Sequence, residues 1–337
     1  MAGTTDDITP YPNGNDDDRL LKMMQVIITI LANYAWIVAV IFGIPGNILS
    51  VLIATRKRNR GLSPCIYITA MAVVDTALLV QLAWLSLFFS DIGKTFLTDR
   101  GIIFRVVVYT MTTFGTQSGF FQAAMSVDRL IAVRWPMAAP RLCSTPRAKK
   151  IVITTFLATA VFNIKDFFTV KYVLDQATGV EFLVVSTPGD DERLKVLLAG
   201  VDIFVGNILP FSIIFSCNVI IVITIKQASK QRRLMKSGLD TNAKDTQYLT
   251  RMLLLISAAY MVTSLPYRWY EFMIGIPGVA SYYDLTKPYW SLRHTLELWA
   301  VYDLWCCNYA VNFYLYCLGG GKRYRDDLKQ LFKRKPQ

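Results

Sequence analysis

The sequence predicts an all-α membrane protein, a seven-transmembrane helix bundle with a short amphipathic helix after helix seven. Three observations carry this expectation: an apolar composition, seven apolar runs of spanning length, and basic residues concentrated in alternate connections. Of 337 residues, 53% are hydrophobic, and the mean hydropathy is +0.37. A water-soluble domain with an ordinary surface does not reach these values. The net charge of +12 does not point to nucleic acid, because the basic residues fall in short bursts between apolar runs and not along one polar face. The lipid bilayer is the expected partner, and no nucleic acid is.

Runs of about 20 apolar residues cross the hydrocarbon core as helices. Seven occur, near 25–54, 63–90, 101–133, 149–169, 196–225, 249–275 and 289–318, the fourth and seventh being the least clean. Backbone groups in lipid must be satisfied within the segment, and no run shows the sustained alternation of a barrel strand. The expected layout is an extracellular acidic tail over 1–24, the bundle over 25–318, and a cytoplasmic amphipathic helix and tail over 319–337. The tail holds Asp6, Asp7, Asp16, Asp17 and Asp18 with no apolar core or small-residue cleavage site. No removable signal peptide is therefore expected, and the first helix serves as its own insertion signal. There is no Asn-x-Ser/Thr acceptor for N-glycosylation.

Charge sets the orientation. Arg56, Lys57, Arg58 and Arg60 follow the first run, and Arg141, Arg147, Lys149 and Lys150 the third. Lys226, Lys230, Arg232, Arg233 and Lys236 follow the fifth, and the segment after the seventh is basic again. Short basic connections stay in the cytoplasm, so the expectation is a multi-pass plasma-membrane protein, N-terminus outside and C-terminus inside. Among the ionisable residues in or near the spans, ten stand out: Arg105, Arg129, Arg268, Arg293, Asp75, Asp128, Asp202, Glu271, Glu297 and Asp303. Charge at membrane depth is costly and usually faces a partner or a wet cavity. Arg105, Arg293 and Glu297 are expected to snorkel at the outer interface.

Several motifs then follow in chain order. The first run contains Gly46-Asn47, the second Asp75, and the third ends in Asp128-Arg129-Leu130. Pro210 and Pro266 interrupt the fifth and sixth runs, and the seventh closes with Asn312-Phe313-Tyr314-Leu315-Tyr316. An interior proline removes one helical hydrogen bond and allows a hinge. Arg129 held by Asp128 forms a pair that parts when helices separate, freeing the guanidinium for carbonyls of an inserted partner. After Gly319-Gly320-Gly321, the stretch from Lys322 to Phe332 reads as an amphipathic helix on the inner leaflet.

Together these elements resemble the rhodopsin-like (class A) G-protein-coupled receptors. Phe313 in the place of a proline is similar to invertebrate neuropeptide receptors of the FMRFamide type. The resemblance implies a receptor that passes binding of an extracellular ligand to a heterotrimeric G protein, using Asp128, Arg129, Asn312, Tyr316, Pro210 and Pro266 in coupling and switching. It also implies a small polar pocket at Asp75, Ser118, Asn308 and Asn312. All four are oxygen donors suited to an allosteric sodium ion, and hydrogen bonding around water serves them equally. No other cofactor is expected.

Some landmarks are absent. Phe104 stands where the family carries the cysteine of its outer disulfide, and the loop from 170 to 195 has no Cys, so no disulfide is expected. Cys65 and Cys143 are assigned to cytoplasmic loops, and Glu181–Ser186 to a strand of a hairpin over the pocket. Leu130 replaces the aromatic after Arg129, and Ser264 stands for the helix-six Trp. Asn218 replaces a helix-five Tyr, and Thr246, with Asp245 beside it, the acidic partner of Arg129. These losses leave open a weakly signalling scaffold receptor.

The expected ligand site comprises Met111, Thr112, Gly115, Asp202, Tyr267, Arg268, Glu271 and Tyr302. Met111 and Cys306 occupy the positions where amine receptors and opsins carry their ligand-binding Asp and Lys, which disfavours amines and retinal. The leading expectation is a peptide, with Arg268 meeting a carboxylate or amide and Tyr267 and Tyr302 supplying stacking surface. Two alternatives stand beside it: an internal pair of Arg268 with Glu271 or Asp202, and a small-molecule ligand. A transporter or channel would show internal repeats and matched broken helices, and none is found. An enzyme is not expected, because His294 is the sole histidine.

Overall fold

The computed structural model describes residues 14–88, 100–174, 181–185, 191–234, 241–275, 288–319 and 321–332. Seven long helical stretches are present among them. The first span runs from Gly14–Ile30 through a π-helical turn, Leu31–Ala35, into Trp36–Ala54. The second is Ser63–Phe88, the third Arg100–Arg134 and the fourth Thr145–Thr169. The fifth joins Glu192–Ile203, a π-helical turn Phe204–Ile208, and Leu209–Leu234. The sixth is Thr241–Gly275, the seventh Pro288–Gly319, and the amphipathic helix Gly321–Phe332 follows. The first span thus starts at Gly14, ahead of its apolar run.

Four of these helices are apolar enough by length and composition to cross a membrane: Asp18–Ala54, Ser63–Leu85, Thr145–Thr169 and Arg193–Ala228. The fourth span is therefore cleaner than its sequence suggests. The third falls short because it turns its polar residues inward. Thr113, Thr116, Gln117, Ser118, Gln122, Ser126, Asp128 and Arg129 are all buried. Large apolar side chains such as Phe42, Val161, Leu197 and Val262 point outward instead, as they do when the surrounding solvent is hydrocarbon.

Small residues let the spans approach closely, the usual packing device where lipid removes the hydrophobic drive. At Gly43 a methyl would collide with Leu79 and stand 2.9 Å from Ala310 Cβ, which locks the first, second and seventh spans together. At Gly46 it would stand 3.0 Å from Phe313 Cβ. The phenylalanine that replaces proline thus packs into the gap beside a glycine. In the fifth span the π turn ends just before Pro210, where widening of the ladder accommodates the ring and its missing donor.

Strands β1 (Val170–Leu174) and β2 (Glu181–Val185) pair antiparallel, Val170 opposite Val185 and Leu174 opposite Glu181. The second strand is the one expected from the sequence. Cys65, assigned to a loop, lies instead in the first turns of the second span, and no disulfide joins any of the six cysteines. Phe104 is 2% exposed and packs with Trp84, Leu85 and Val108, joining the third span to the second where the family's disulfide would act. Phe104→Ala is expected to cost about 2–3 kcal/mol, below the ~3–5 typical of water-soluble cores because lipid supplies no transfer term. Thermal unfolding in detergent measures it; a midpoint within a degree of the parent would contradict this role.

Candidate functional site

The functional residues form three tiers along the bundle. At one end, helical spacing in the seventh span stacks Trp299, Tyr302, Trp305 and Tyr309 into an aromatic ladder, with successive ring centres 5.8, 5.6 and 5.0 Å apart. Tyr267 of the sixth span lies nearly parallel to Trp305 at 5.0 Å and edge-on to Tyr302 at 5.7 Å. The Arg268 guanidinium sits 5.2 Å from the Trp305 ring centre and 5.4 Å from that of Tyr267, a cation–π arrangement. Gly115 of the third span opens toward the same spot. A methyl there would meet Trp305 at 3.5 Å, the Tyr309 hydroxyl at 3.6 Å and Arg268 Nη2 at 3.8 Å.

Of the residues expected to form a ligand site, Gly115, Tyr267, Arg268 and Tyr302 therefore come together. Met111 packs on the same core. Thr112 turns its hydroxyl back to the carbonyls of Val108 and Tyr109, both at 3.1 Å. Asp202 belongs to another interface: its carboxylate meets Lys165 of the fourth span at 2.6 Å, and Lys165 also holds Asp166 at 2.9 Å. The side chain of Glu271 lies outside the described residues, as do those of Asp245 and Thr246.

Lys165→Met would remove the cation that the Asp166 and Asp202 carboxylates share. The expected cost is about 1–3 kcal/mol, less than the ~3–5 of a fully buried pair because the Asp202 side chain is 40% exposed. Adding Asp202→Leu to Lys165→Met should restore most of the thermal stability; a double variant no better than the single would refute the pairing.

In the middle tier Asp75 is fully buried. Ser118 donates to Oδ1 at 3.0 Å and Asn312 Nδ2 to Oδ2 at 2.8 Å. Asn308 points elsewhere and accepts from Thr263 of the sixth span at 3.3 Å. Asn47 Nδ2 donates to the Tyr309 carbonyl at 3.1 Å, so the first span grips the seventh one turn before Phe313. The Asp75 carboxylate has only neutral donors among the described residues. A buried carboxylate needs such donors to offset its desolvation, and here the Ser118 hydroxyl and the Asn312 amide supply them.

At the opposite end Asp128 Oδ2 holds Arg129 Nη2 at 2.6 Å and accepts from the Ser63 hydroxyl at 2.9 Å. Both charged side chains are buried, and Arg129 Nε has no hydrogen-bond partner among the described residues. The Cys143 thiol donates to the Asp128 carbonyl at 3.3 Å; burial, reinforced by the Asp128 carboxylate, pushes it up to about 11, so it stays protonated. Ser126 and Ser257 approach within 3.4 Å, linking the third and sixth spans beside the pair. Tyr316 is buried at 1% exposure, and Pro210 is buried too, while Pro266 lies within the continuous sixth helix.

Sequence reasoning missed two features. Trp299, Trp305 and Tyr309 were not singled out, although their three- and four-residue spacing with Tyr302 is the signal for one helix face. The other is Asp327 of the amphipathic helix, which meets Arg58 at 2.7 Å and Arg56 at 3.5 Å and accepts from Asn59 at 3.2 Å. An acid within a basic helix, with basic residues after the first span, was the available clue.

Seven packed spans, an aromatic cluster at one end and a buried acid–arginine pair at the other define a polytopic membrane protein of receptor type. The sequence profile of the 7 transmembrane receptor (rhodopsin family) matches residues 46–285, and the chain belongs to that family. It is a family of receptors and not of enzymes. Human (Homo sapiens) cysteinyl leukotriene receptor 1 is 25% identical over 69% of this chain and 65% of its own length. Human G-protein coupled receptor 183 is 25% identical over 79% and 71%, and somatostatin receptor type 2 of Sus scrofa 22% over 73% and 64%. The chain thus spans just under two thirds of the first of these relatives.

Proposed function

We propose that this chain is a cell-surface receptor, N-terminus outside, that converts binding of an extracellular peptide into nucleotide exchange on a cytoplasmic heterotrimeric G protein. The observation that carries the reading is the Asp128–Arg129 pair, buried at 2.6 Å. A guanidinium in low dielectric with an unused Nε donor gains on meeting the carbonyls of an inserted helix end. The Asp75 cluster lies between this pair and the aromatic cavity and acts as an allosteric sodium site, in which Asp75, Ser118 and Asn312 hold the ion. The basic connections on the Arg129 side favour the inner leaflet and support this orientation.

A peptide suits a cavity that joins stacked aromatic rings to a cation, and one relative is named for somatostatin. A small amphipathic ligand is the second reading, favoured by the relative named for a cysteinyl leukotriene. The test is a peptide-library screen on cells expressing the chain, read as nucleotide exchange and repeated with Arg129→Ala. Peptide-driven exchange that disappears in the variant is the expected result. Exchange driven only by small metabolites would replace the peptide, and exchange indifferent to Arg129 would sink the coupling mechanism.

A further inference from the structure

We propose that Gln122, an unsatisfied amide buried in the third span, biases the bundle toward its open state, so that the receptor carries a resting activity without any ligand. This rests on the receptor reading and concerns the balance between its two states.

The third span carries two buried glutamines in unlike circumstances. Gln117, 0% exposed, is satisfied by the fourth span: its Nε2 donates to the Thr155 hydroxyl at 3.2 Å, and its Oε1 accepts from the Thr159 hydroxyl. Gln122, 1% exposed, has no hydrogen-bond partner for either Nε2 or Oε1 among the described residues. It stands on the stripe of the third span that joins the middle tier to the arginine. One turn before it, Ser118 donates to Asp75. One turn after it, Ser126 donates to the Gln122 carbonyl at 2.9 Å and meets Ser257 of the sixth span; Arg129 follows two turns on. Its neighbours Phe121 and Met125 belong to the apolar core that also holds Met71, Ile256 and Tyr316 of the second, sixth and seventh spans.

A primary amide brings two N–H donors and an acceptor oxygen. Held without partners, these groups lose their hydration and gain nothing in return, a penalty that a leucine or methionine of similar size would not incur. The penalty falls on the closed bundle. When the sixth span parts from the third on the Arg129 side, the seam between Ser126 and Ser257 opens, and the amide one turn deeper meets water. A group that is worse off in one state shifts the equilibrium toward the other by that difference. The Asp128–Arg129 pair restrains the same opening, so two opposed buried groups set the resting balance.

The test replaces Gln122 by leucine and by methionine in the full chain, beside Gln117→Met, and takes three readouts without ligand. They are the thermal midpoint in detergent, amide hydrogen exchange over residues 252–259 of the sixth span, and nucleotide exchange on a purified G protein in vesicles. The parent is expected to drive measurable exchange on its own. At least one Gln122 variant should raise the midpoint by about 2–4 °C, slow amide exchange in that segment, and lower resting nucleotide exchange by about tenfold. Gln117→Met, which breaks the bonds to Thr155 and Thr159, should lower the midpoint instead. A lower midpoint in both Gln122 variants would mean that the amide is satisfied in the closed state, by an internal water for instance, and would overturn the proposal. Resting nucleotide exchange that neither variant reduces would overturn it too, as would a silent parent beside an active Asp128→Asn. A higher midpoint and slower amide exchange, with no nucleotide exchange from any variant including Asp128→Asn, would support the bias and remove the signalling reading.

Discussion

Asp128→Asn is expected to raise ligand-independent nucleotide exchange by about tenfold or more. In the parent, Asp128 holds Arg129 at 2.6 Å in a buried environment and is itself steadied by Ser63 at 2.9 Å. Asparagine keeps the shape and the Ser63 contact but loses the charge. A charge-assisted hydrogen bond contributes about 1.5–3 kcal/mol, and about 1.4 kcal/mol is a factor of ten in a two-state equilibrium. The released guanidinium is then free to meet a G-protein carbonyl. The measurement is basal exchange on a purified G protein in vesicles, at matched receptor amounts. Unchanged basal exchange, with Arg129→Ala inactive, would mean that the pair orients Arg129 without restraining it.

Gly319→Ala should act on the same equilibrium from a different place. Gly319 closes the seventh span, and a methyl there would stand 2.6 Å from Met252 Cα and 3.1 Å from Leu255 Cδ1. The first is backbone and has no rotamer by which to escape. The sixth helix must therefore move away from the seventh near Ser257, the residue that meets Ser126 at 3.4 Å. Overpacking of this kind costs about 1–3 kcal/mol. The expected result is a lower thermal midpoint together with higher basal exchange. Loss of stability with unchanged exchange would make the contact a packing feature only, and retention of both would show that the helices close without it.

These two residues illustrate how differently function is written in the chain. Asp128-Arg129 is legible because a charged pair beside an apolar run has few bland explanations. Gly319 reads in sequence only as a helix stop, and its contact with Met252 arises from two helices about seventy positions apart. Asp75 was visible for the same reason as Arg129, and its bonds to Ser118 and Asn312 follow from side chains able to satisfy a buried carboxylate. Asn308, one turn before Asn312 on the same face, is grouped with them by the resemblance, yet its amide oxygen accepts from Thr263 of the sixth span.

The cavity shows the limit most clearly. The sequence lacks the helix-six Trp, at Ser264, and nothing local says what fills the space. In the structure the indole comes from the seventh span, where Trp305 lies under Tyr267 and opposite Gly115, while Ser264 is small and buried. A large ring on one helix and a glycine on another are each unremarkable alone; together they make the seat for Arg268.

By itself, then, the sequence determined what depends on period, run length and charge: seven spans, their limits to within a few residues except at the acidic start of the first, the end of the fifth and the start of the sixth, where the helices continue beyond the apolar run, the hairpin strand, the amphipathic helix, and the polar landmarks of four spans. Lipid makes these legible, since it tolerates neither an unpaired backbone nor an idle charge. Only the tertiary structure decided which polar group meets which: Lys165 with Asp202, Phe104 in the place of a disulfide, Asp327 with Arg58, and Trp305 beneath Tyr267. Those choices turn on helix rotation and on close approach at small residues, and neither is encoded in any single stretch of chain.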